Sequence, residues 1–123
     1  MKTVPQEVAE ALRAFALRMP GAVEDHPWGE TVAQVNKKIF VFLGHDRTDG
    51  IFQFCVKLPE SAAEALKRPG TEPAGYGMGK HGWVLIKVQA DDRPNLDQFL
   101  RWVEESYRAV APKKLVKAWD AGE

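Results

Sequence analysis

The sequence is poor in cysteine, in long apolar runs and in charge of one sign. Cys55 is the single cysteine, which excludes a disulfide within the chain. The longest apolar runs, residues 39–43 and 83–86, are far shorter than the roughly 20 residues of a membrane-spanning helix. Seventeen Lys and Arg balance seventeen Asp and Glu, so the chain lacks the basic excess that is typical of many nucleic-acid-binding proteins. We therefore expect no membrane partner and no strong attraction of the whole molecule to a polyanion.

Sequence motifs for catalysis, metals and cofactors are missing as well. His26, His45 and His81 stand apart, with no His-Glu-x-x-His and no Cys-x-x-Cys, so the sequence predicts no metal site. The glycines of residues 75–80 lack the Gly-Lys-Ser/Thr of a phosphate-binding loop and precede a strand, so no nucleotide cofactor is predicted. No cysteine-hydrolase signature surrounds Cys55, which is interpreted as a small packing residue. These absences predict a protein that is not an enzyme.

The composition that remains is typical of a soluble globular domain. The chain has 123 residues, of which 45% are hydrophobic, 10% aromatic and 28% charged. A chain of this length buries roughly two thirds of its unfolded surface, so a core forms without disulfides or metal. Charge follows directly after Met1, with no apolar signal core. We therefore expect one domain over residues 1–123 and a cytoplasmic location.

Hydrophobic periodicity in the first half of the chain indicates a helix followed by strands. Val8, Leu12, Phe15 and Met19 recur at helical spacing, and Pro20 stops the pattern. Further on, apolar and polar residues alternate with the period of two that is typical of strands with one buried face. The predicted elements are a helix over residues 5–19, an ordered loop over 22–30, a hairpin of 31–36 and 38–44 that turns near Asn36-Lys37, and a strand over 51–57.

The second half shows the same two kinds of pattern. Val84, Ile86 and Val88 alternate with a wetter set that includes Trp83 and Lys87. The predicted elements are a short helix over residues 59–68, a glycine-rich connection over 73–82, a strand over 83–89, and a long helix over 94–110 that Pro112 ends. Together these elements predict an α+β fold in which helices pack on one face of an antiparallel sheet.

A candidate nucleic-acid-binding surface lies in the middle of the chain. Residues 31–90 hold eight Lys and Arg against five Asp and Glu, and residues 113–117 add three lysines. Trp83 and Lys87 share a strand face, and aromatic rings between lysines can stack on bases while the lysines contact phosphates. The predicted affinity for DNA is modest, mostly independent of sequence and lowered by salt. The candidate residues are Lys37, Lys38, Lys57, Tyr76, Lys80, Trp83 and Lys87.

A second interpretation is a pocket for a protein segment or a small ligand. Aromatic, glycine and histidine residues gather in two connections, residues 22–30 and 73–82. A few polar groups among aromatic rings are the usual lining of a ligand pocket. The candidate pocket residues are His26, Trp28, Tyr76 and His81.

Several blocks of sequence also occur together in a characteristic order and spacing. They are His26-Pro27-Trp28-Gly29-Glu30, residues 38–43, Pro69-Gly70, and the series Tyr76, Lys80 and Trp83. The closing helix and its lysine-rich tail extend the likeness over nearly the whole chain. In these blocks the sequence resembles the MmcQ/YjbR-like family of small bacterial proteins.

That resemblance carries expectations for fold and function. It implies an α+β fold similar to that of the frataxin-like proteins. It also implies DNA binding, in which two β-hairpins, called wings, are the proposed contacts with the duplex. Tyr76, Lys80 and Trp83 match the family pattern, whereas Gly82 replaces a histidine of that pattern. No cofactor is implied, and an iron-binding first helix is not expected because its acids are few.

Overall fold

The structure is a computed structural model that describes residues 3–44, 50–75 and 77–122. Within these residues the chain forms helices and strands in an α+β arrangement. The helices are α1 (Val4–Arg18), α2 (Ala62–Ala65), α3 (Leu96–Val110) and α4 (Lys113–Asp120). The strands are β1 (Ala22–Asp25), β2 (Val32–Val35), β3 (Lys38–Phe42), β4 (Phe52–Lys57), β5 (Thr71–Pro73) and β6 (Trp83–Val88).

The described strands form one antiparallel sheet in the order β1-β2-β3-β4-β6-β5. Helices α1 and α3 pack against one face of it, where Phe54, Val56, Val84 and Ile86 are each at most 1% exposed. This confirms the predicted fold class, helices on one face of an antiparallel sheet. We call the opposite side of the sheet, which α1 and α3 leave uncovered, the open face.

The two long helices begin at side-chain caps and bury the stripes that their periodicity predicts. Thr3 caps α1, because its hydroxyl accepts the Gln6 N–H and its own N–H donates to the Gln6 side chain. Asn95 caps α3 by accepting the Gln98 N–H. In α3 the buried face also includes Ser106, a polar residue with no exposed surface.

Ser106 anchors the centre of the sheet at an irregularity between strands. A β-bulge in the β2–β3 pairing leaves Phe40 between the partners of Ala33 and Gln34. Next to it, the Ser106 hydroxyl donates to the Phe40 carbonyl and accepts the Lys57 N–H at 2.8 Å. The hydroxyl therefore bridges β3 and β4 where a direct backbone bond is missing.

The structure differs from the sequence prediction in four segments. The predicted loop over 22–30 contains β1, which pairs with β2 through its backbone although its side chains are largely exposed. Strand β5 was not predicted; it precedes the glycine-rich connection of 73–82 and shares only Pro73 with it. The helix predicted over 59–68 is regular only over Ala62–Ala65. Pro112 does end α3, but it also begins α4, which the sequence analysis did not predict.

Candidate functional site

Three of the predicted nucleic-acid-binding residues lie together on the open face. Lys57 of β4 and Trp83 of β6 are direct cross-strand partners, and Lys87 lies four residues further along β6 on the same side. All three are half-buried. This part of the predicted surface is thus assembled by the sheet register.

The Trp83 ring is fixed by an aromatic neighbour two strands away. Phe42 of β3 and Trp83 meet edge to face, with ring centroids 5.5 Å apart and planes inclined by 70°. Phe42 pairs with Cys55 and Cys55 with Leu85, so these side chains form a row across the open face. Trp83 therefore projects from a packed row of apolar side chains.

Glycines in the β5–β6 connection bring Lys80 close to this row. Residues Met78–His81 form one 3₁₀ turn, with left-handed Gly77 before it and left-handed Gly82 after it. A Cβ at Gly79 would lie 2.8 Å from the Pro73 side chain, so only glycine fits that close approach. Lys80 is exposed in this turn, at the end of the sheet where Trp83 begins β6.

The hairpin of β2 and β3 turns at the same end of the sheet. Asn36 and Lys37 have φ values of 51° and 66°, and Val35 pairs with Lys38, so the connection is a two-residue turn as predicted. Lys38 shares the sheet side of buried Val35 and not the open face, so it lies on the other side of the sheet from Lys57 and Trp83. We call this end of the sheet, with Lys37, Lys38, Lys57 and Lys80, the basic end.

The lysines of the basic end have no acidic partner within the part of the chain that the structure describes. The ion pairs found there involve other cations, namely Arg13, His26, Arg68 and Arg108. Of the nearby acids, Glu105 is occupied, because its carboxylate accepts the N–H groups of Glu60 and Ser61 at 3.0 Å. Glu60 is an exposed acid at the same end. The lysine ammonium groups are accordingly available to an anion.

Helix α4 contains three lysines of the segment that the sequence analysis describes as a lysine-rich tail. Lys113, Lys114 and Lys117 are exposed. Between them, Leu115 lies over Gly21, where an added Cβ would be 2.8 Å from Leu115 Cδ1 and 3.4 Å from Val35 Cγ2. Since Val35 is the strand partner of Lys38, α4 begins beside the basic end. The helical spacing of Leu115, Val116 and Trp119 is the signal that could have predicted this helix.

Trp28 lies in a different part of the molecule and in an unusual conformation. It is 91% exposed, and its φ of 54° and ψ of 30° are left-handed values that are rare for a bulky residue. The connection around it is acidic and ordered: Glu24 accepts from Arg13 and lies 2.9 Å from His26 Nε2. The Arg13 hydrogen bond lowers the pKa of Glu24, and His26 contributes to the same shift. We call residues 24–30 the Trp28 corner.

The predicted pocket residues do not come together. Trp28 and His26 precede β2, at the end of the sheet where β4 begins, whereas His81 precedes β6, at the end where β4 finishes. Strands β3 and β4 also lie between the two connections. His26 and Trp28 are therefore separated from His81 both along and across the sheet. Tyr76, a member of both predicted sites, lies outside the described residues.

Cys55 is on the open face, as expected from its alternation, but it is not on a wetter surface. It is 7% exposed, and burial together with the nearby Glu30 carboxylate raises the pKa of its thiol to about 12. A thiol with that pKa is protonated at neutral pH and is a poor nucleophile. The structure therefore places Cys55 in the packing of the open face.

The described residues contain no candidate metal site and no helix that could span a membrane. No group of three His, Cys, Asp or Glu side chains in residues 3–44, 50–75 and 77–122 is placed to hold a metal ion. Across the same residues, no helix has the length and apolarity needed to cross a membrane. One depression of about 220 Å³ lies between α1 and the start of β4, lined by Arg13, Thr31 and Phe52 among others, and is remote from the basic end.

Comparison with known structures confirms the fold. The protein DR2400 of Deinococcus radiodurans, described as a DUF419 domain, superposes with a TM-score of 0.66 at 19% identity, over 86% of this chain and 80% of that one. A protein from Pseudomonas syringae superposes with a TM-score of 0.61 at 20% identity, over 82% of this chain and 97% of that one. At these identities the likeness shows the fold alone.

Comparison of the sequence with family models and curated proteins gives one family. No curated protein matches the chain. The family model named YjbR matches residues 17–109, which is well over half of the chain and runs from the end of α1 through most of α3. The match confirms the resemblance noted in the sequence blocks, and the chain belongs to the YjbR family.

Proposed function

We propose that this protein binds DNA weakly and with little regard to sequence, through the lysines of the basic end and the adjoining open face. The single observation that carries the proposal is the direct pairing of Lys57 with Trp83 on the open face. A cation and an aromatic ring side by side match a ligand made of phosphates and bases. The proposal needs no catalytic residue and no cofactor.

Lys37 supplies a second reason to expect an anion at this end. Its φ of 66° lies in the left-handed region, where glycine is the residue usually found at the second position of such a turn. A non-glycine residue held there costs of order 1 kcal/mol or more. An exposed lysine that is kept in a costly conformation at a hairpin tip supports a role for its charge.

The distribution of charge supports local rather than global attraction. The chain as a whole is neutral, whereas Lys37, Lys57 and Lys80 lie unpaired at one end, within the described residues. Each phosphate contact contributes about 0.7 to 0.9 to the slope of log affinity against log salt. Three to five such contacts give a modest affinity that falls steeply as salt is added.

The test is a fluorescence-anisotropy titration of labelled DNA at two salt concentrations. We expect the double variant Lys37→Glu/Lys80→Glu to lose at least about tenfold in affinity at low salt, because two phosphate contacts become repulsions. The matched control is Lys67→Glu/Arg93→Glu, which makes the same charge change at exposed positions away from the basic end. Circular dichroism checks that both variants keep the fold.

Two results would contradict the proposal. One is the absence of any DNA binding by the wild-type protein at low salt. The other is an equal loss of affinity in the double variant and its control, which would assign binding to net charge and not to the basic end.

A further inference from the structure

The proposed DNA-binding surface has a shape that discriminates between kinds of DNA. The open face is one side of the six-stranded sheet. With strands about 4.8 Å apart, the backbones of the six strands span about 24 Å before side chains are added. The major groove of B-DNA is about 12 Å wide and admits a helix or a two-stranded ribbon. The open face is therefore too broad to enter the groove of a duplex.

The ring at the centre of this surface is set for stacking and not for reading base edges. Trp83 is half-buried and held by Phe42, so it cannot extend into a duplex to insert between base pairs. In a duplex the faces of the bases are covered by their neighbours, and only the edges are exposed in the grooves. An aromatic ring on a sheet face instead meets the free face of an unpaired base, the arrangement that sheet platforms use for single strands.

Cations stand on two sides of the ring. Lys57 lies directly across from Trp83, at a Cα separation of about 5 Å, and Lys87 lies about 13 Å along the same strand. Acids mark the borders of this surface: Glu72 pairs with Leu85 near the β5 edge, and Glu30 lies near Cys55 toward the Trp28 corner. The cations of the open face therefore lie along β4 and β6, between these two acids.

We infer that the DNA bound by this face is single-stranded, with an unpaired base stacked on Trp83 and flanking phosphates at Lys57 and Lys87. This inference rests on the proposed function, since it names the form of DNA that the same surface binds.

The experiment compares three labelled ligands of about 12 nucleotides, within the usual site size of such surfaces. They are oligothymidylate, a duplex of the same length, and an abasic strand with the same phosphates and no bases. We expect the wild-type protein to bind oligothymidylate about tenfold more tightly than either of the others. The abasic strand keeps the charge of the first ligand and removes the stacking, so it isolates the contribution of the bases.

Variants of Trp83 assign the stacking to one ring. Trp83→Leu is expected to lose about tenfold in affinity for oligothymidylate and nothing for the abasic strand, while Trp83→Phe keeps most of the affinity. Trp28→Leu makes the same change at the opposite corner and is expected to bind like the wild type. Because Trp83→Leu could disturb packing against Phe42, thermal unfolding is measured for each variant, and Trp83→Phe keeps the test valid if the leucine variant unfolds.

Different outcomes of the experiment contradict this inference and the proposed function. Equal binding of the three ligands, or tighter binding of the duplex with no effect of Trp83→Leu, overturns the single-strand inference and leaves DNA binding in place. Failure of all three ligands to bind at low salt overturns the proposed function itself.

Discussion

Trp83 and Trp28 lie at opposite corners of the sheet and show how differently one residue type is used. Trp83 is half-buried in regular strand, beside Lys57 and Phe42. Trp28 is 91% exposed in a left-handed conformation, in a connection that also contains Glu24 and Glu30. The neighbouring charges differ, because Lys57 lies across from Trp83, whereas Glu24 and Glu30 lie around Trp28. Under the proposed function, the charges around an aromatic ring matter more than the exposure of the ring.

Removing the Ser106 hydroxyl should produce the largest effect on stability. This hydroxyl accepts the N–H of Lys57, a residue of the basic end. In Ser106→Ala the Phe40 carbonyl and the Lys57 N–H both lose their buried partner. We expect the free energy of unfolding to fall by about 2 kcal/mol, measured by chemical denaturation. The control is Ser61→Ala, whose hydroxyl donates to Glu105 at a less buried position. A loss no greater than that of the control would contradict the bridging role of Ser106.

Replacing Trp28 with glycine tests the other corner. Glycine adopts the φ of 54° without strain, so Trp28→Gly is expected to raise the free energy of unfolding by about 1 kcal/mol. Trp28→Ala keeps the strained conformation and should change stability little. Neither variant should alter DNA affinity by more than about twofold, since the phosphate contacts that we propose lie elsewhere. A tenfold loss of DNA affinity in either variant would contradict the proposal that DNA binds near Trp83 and not at the Trp28 corner.

The ion pairs of the Trp28 corner predict a pH-dependent contribution to stability. Arg13 and His26 lower the pKa of Glu24 in the folded protein. The stabilisation is therefore present above the unfolded pKa of about 4.3 and is lost as pH falls through the lower folded pKa. We expect Glu24→Gln to cost about 0.5 to 1 kcal/mol at pH 7 and almost nothing near pH 2. The measurement is thermal unfolding of the wild type and Glu24→Gln between pH 2 and pH 7, with Glu64→Gln as the control. A stability difference between wild type and Glu24→Gln that stays constant over this pH range would contradict the prediction.

The smallest expected effect is a gain in affinity at the edge of the open face. Glu72 is exposed on β5 and shares the open face with Leu85 and Lys87. Glu72→Gln should increase affinity for single-stranded DNA about twofold at low salt, because one repulsive charge at the border is removed. Glu64→Gln on α2 changes the same charge away from this face. An equal gain in both variants would indicate a net-charge effect.

Elements with strong hydrophobic periodicity were predictable from the sequence. The spacing of Val8 and Leu12 predicts α1, and the alternation of Val84, Ile86 and Val88 predicts β6 with the correct buried face. The Asn36-Lys37 turn was predictable because two apolar runs flank it at hairpin spacing. In each case the local pattern and the tertiary packing require the same structure.

Elements that depend on backbone pairing or on distant contacts were not predictable. Strand β1 contains the exposed residues Val23 and Asp25, so it has no buried-face signal and exists because it pairs with β2. Helix α4 is a different case: the spacing of Leu115, Val116 and Trp119 indicates a helix, but Pro112, which ends α3, conceals where it begins. Its packing against Gly21 is a contact that no local pattern encodes.

The candidate site also has features that the sequence predicts and features that depend on strand pairing. Strand period alone placed Trp83 and Lys87 on one face, and the register then added Lys57 as the direct partner of Trp83. The bulge at Phe40 and the pairing of Lys38 with Val35 are features of strand register, so the sequence alone did not show that Lys38 lies on the other side of the sheet from Lys57. Separation of His26 and Trp28 from His81 follows from the strand order, which short-range patterns do not specify.

The most direct test of the central claim compares two single-tryptophan replacements during titration with single-stranded DNA. Trp28→Phe leaves Trp83 as the partly exposed open-face ring, and Trp83→Phe leaves Trp28 at its corner. Buried Trp102 and half-buried Trp119 are common to both variants, so they do not account for a difference between them. We predict that oligothymidylate quenches the tryptophan fluorescence of Trp28→Phe as strongly as that of the wild type and scarcely affects Trp83→Phe. Quenching that persists in Trp83→Phe and disappears in Trp28→Phe would place the DNA at the Trp28 corner and contradict the account.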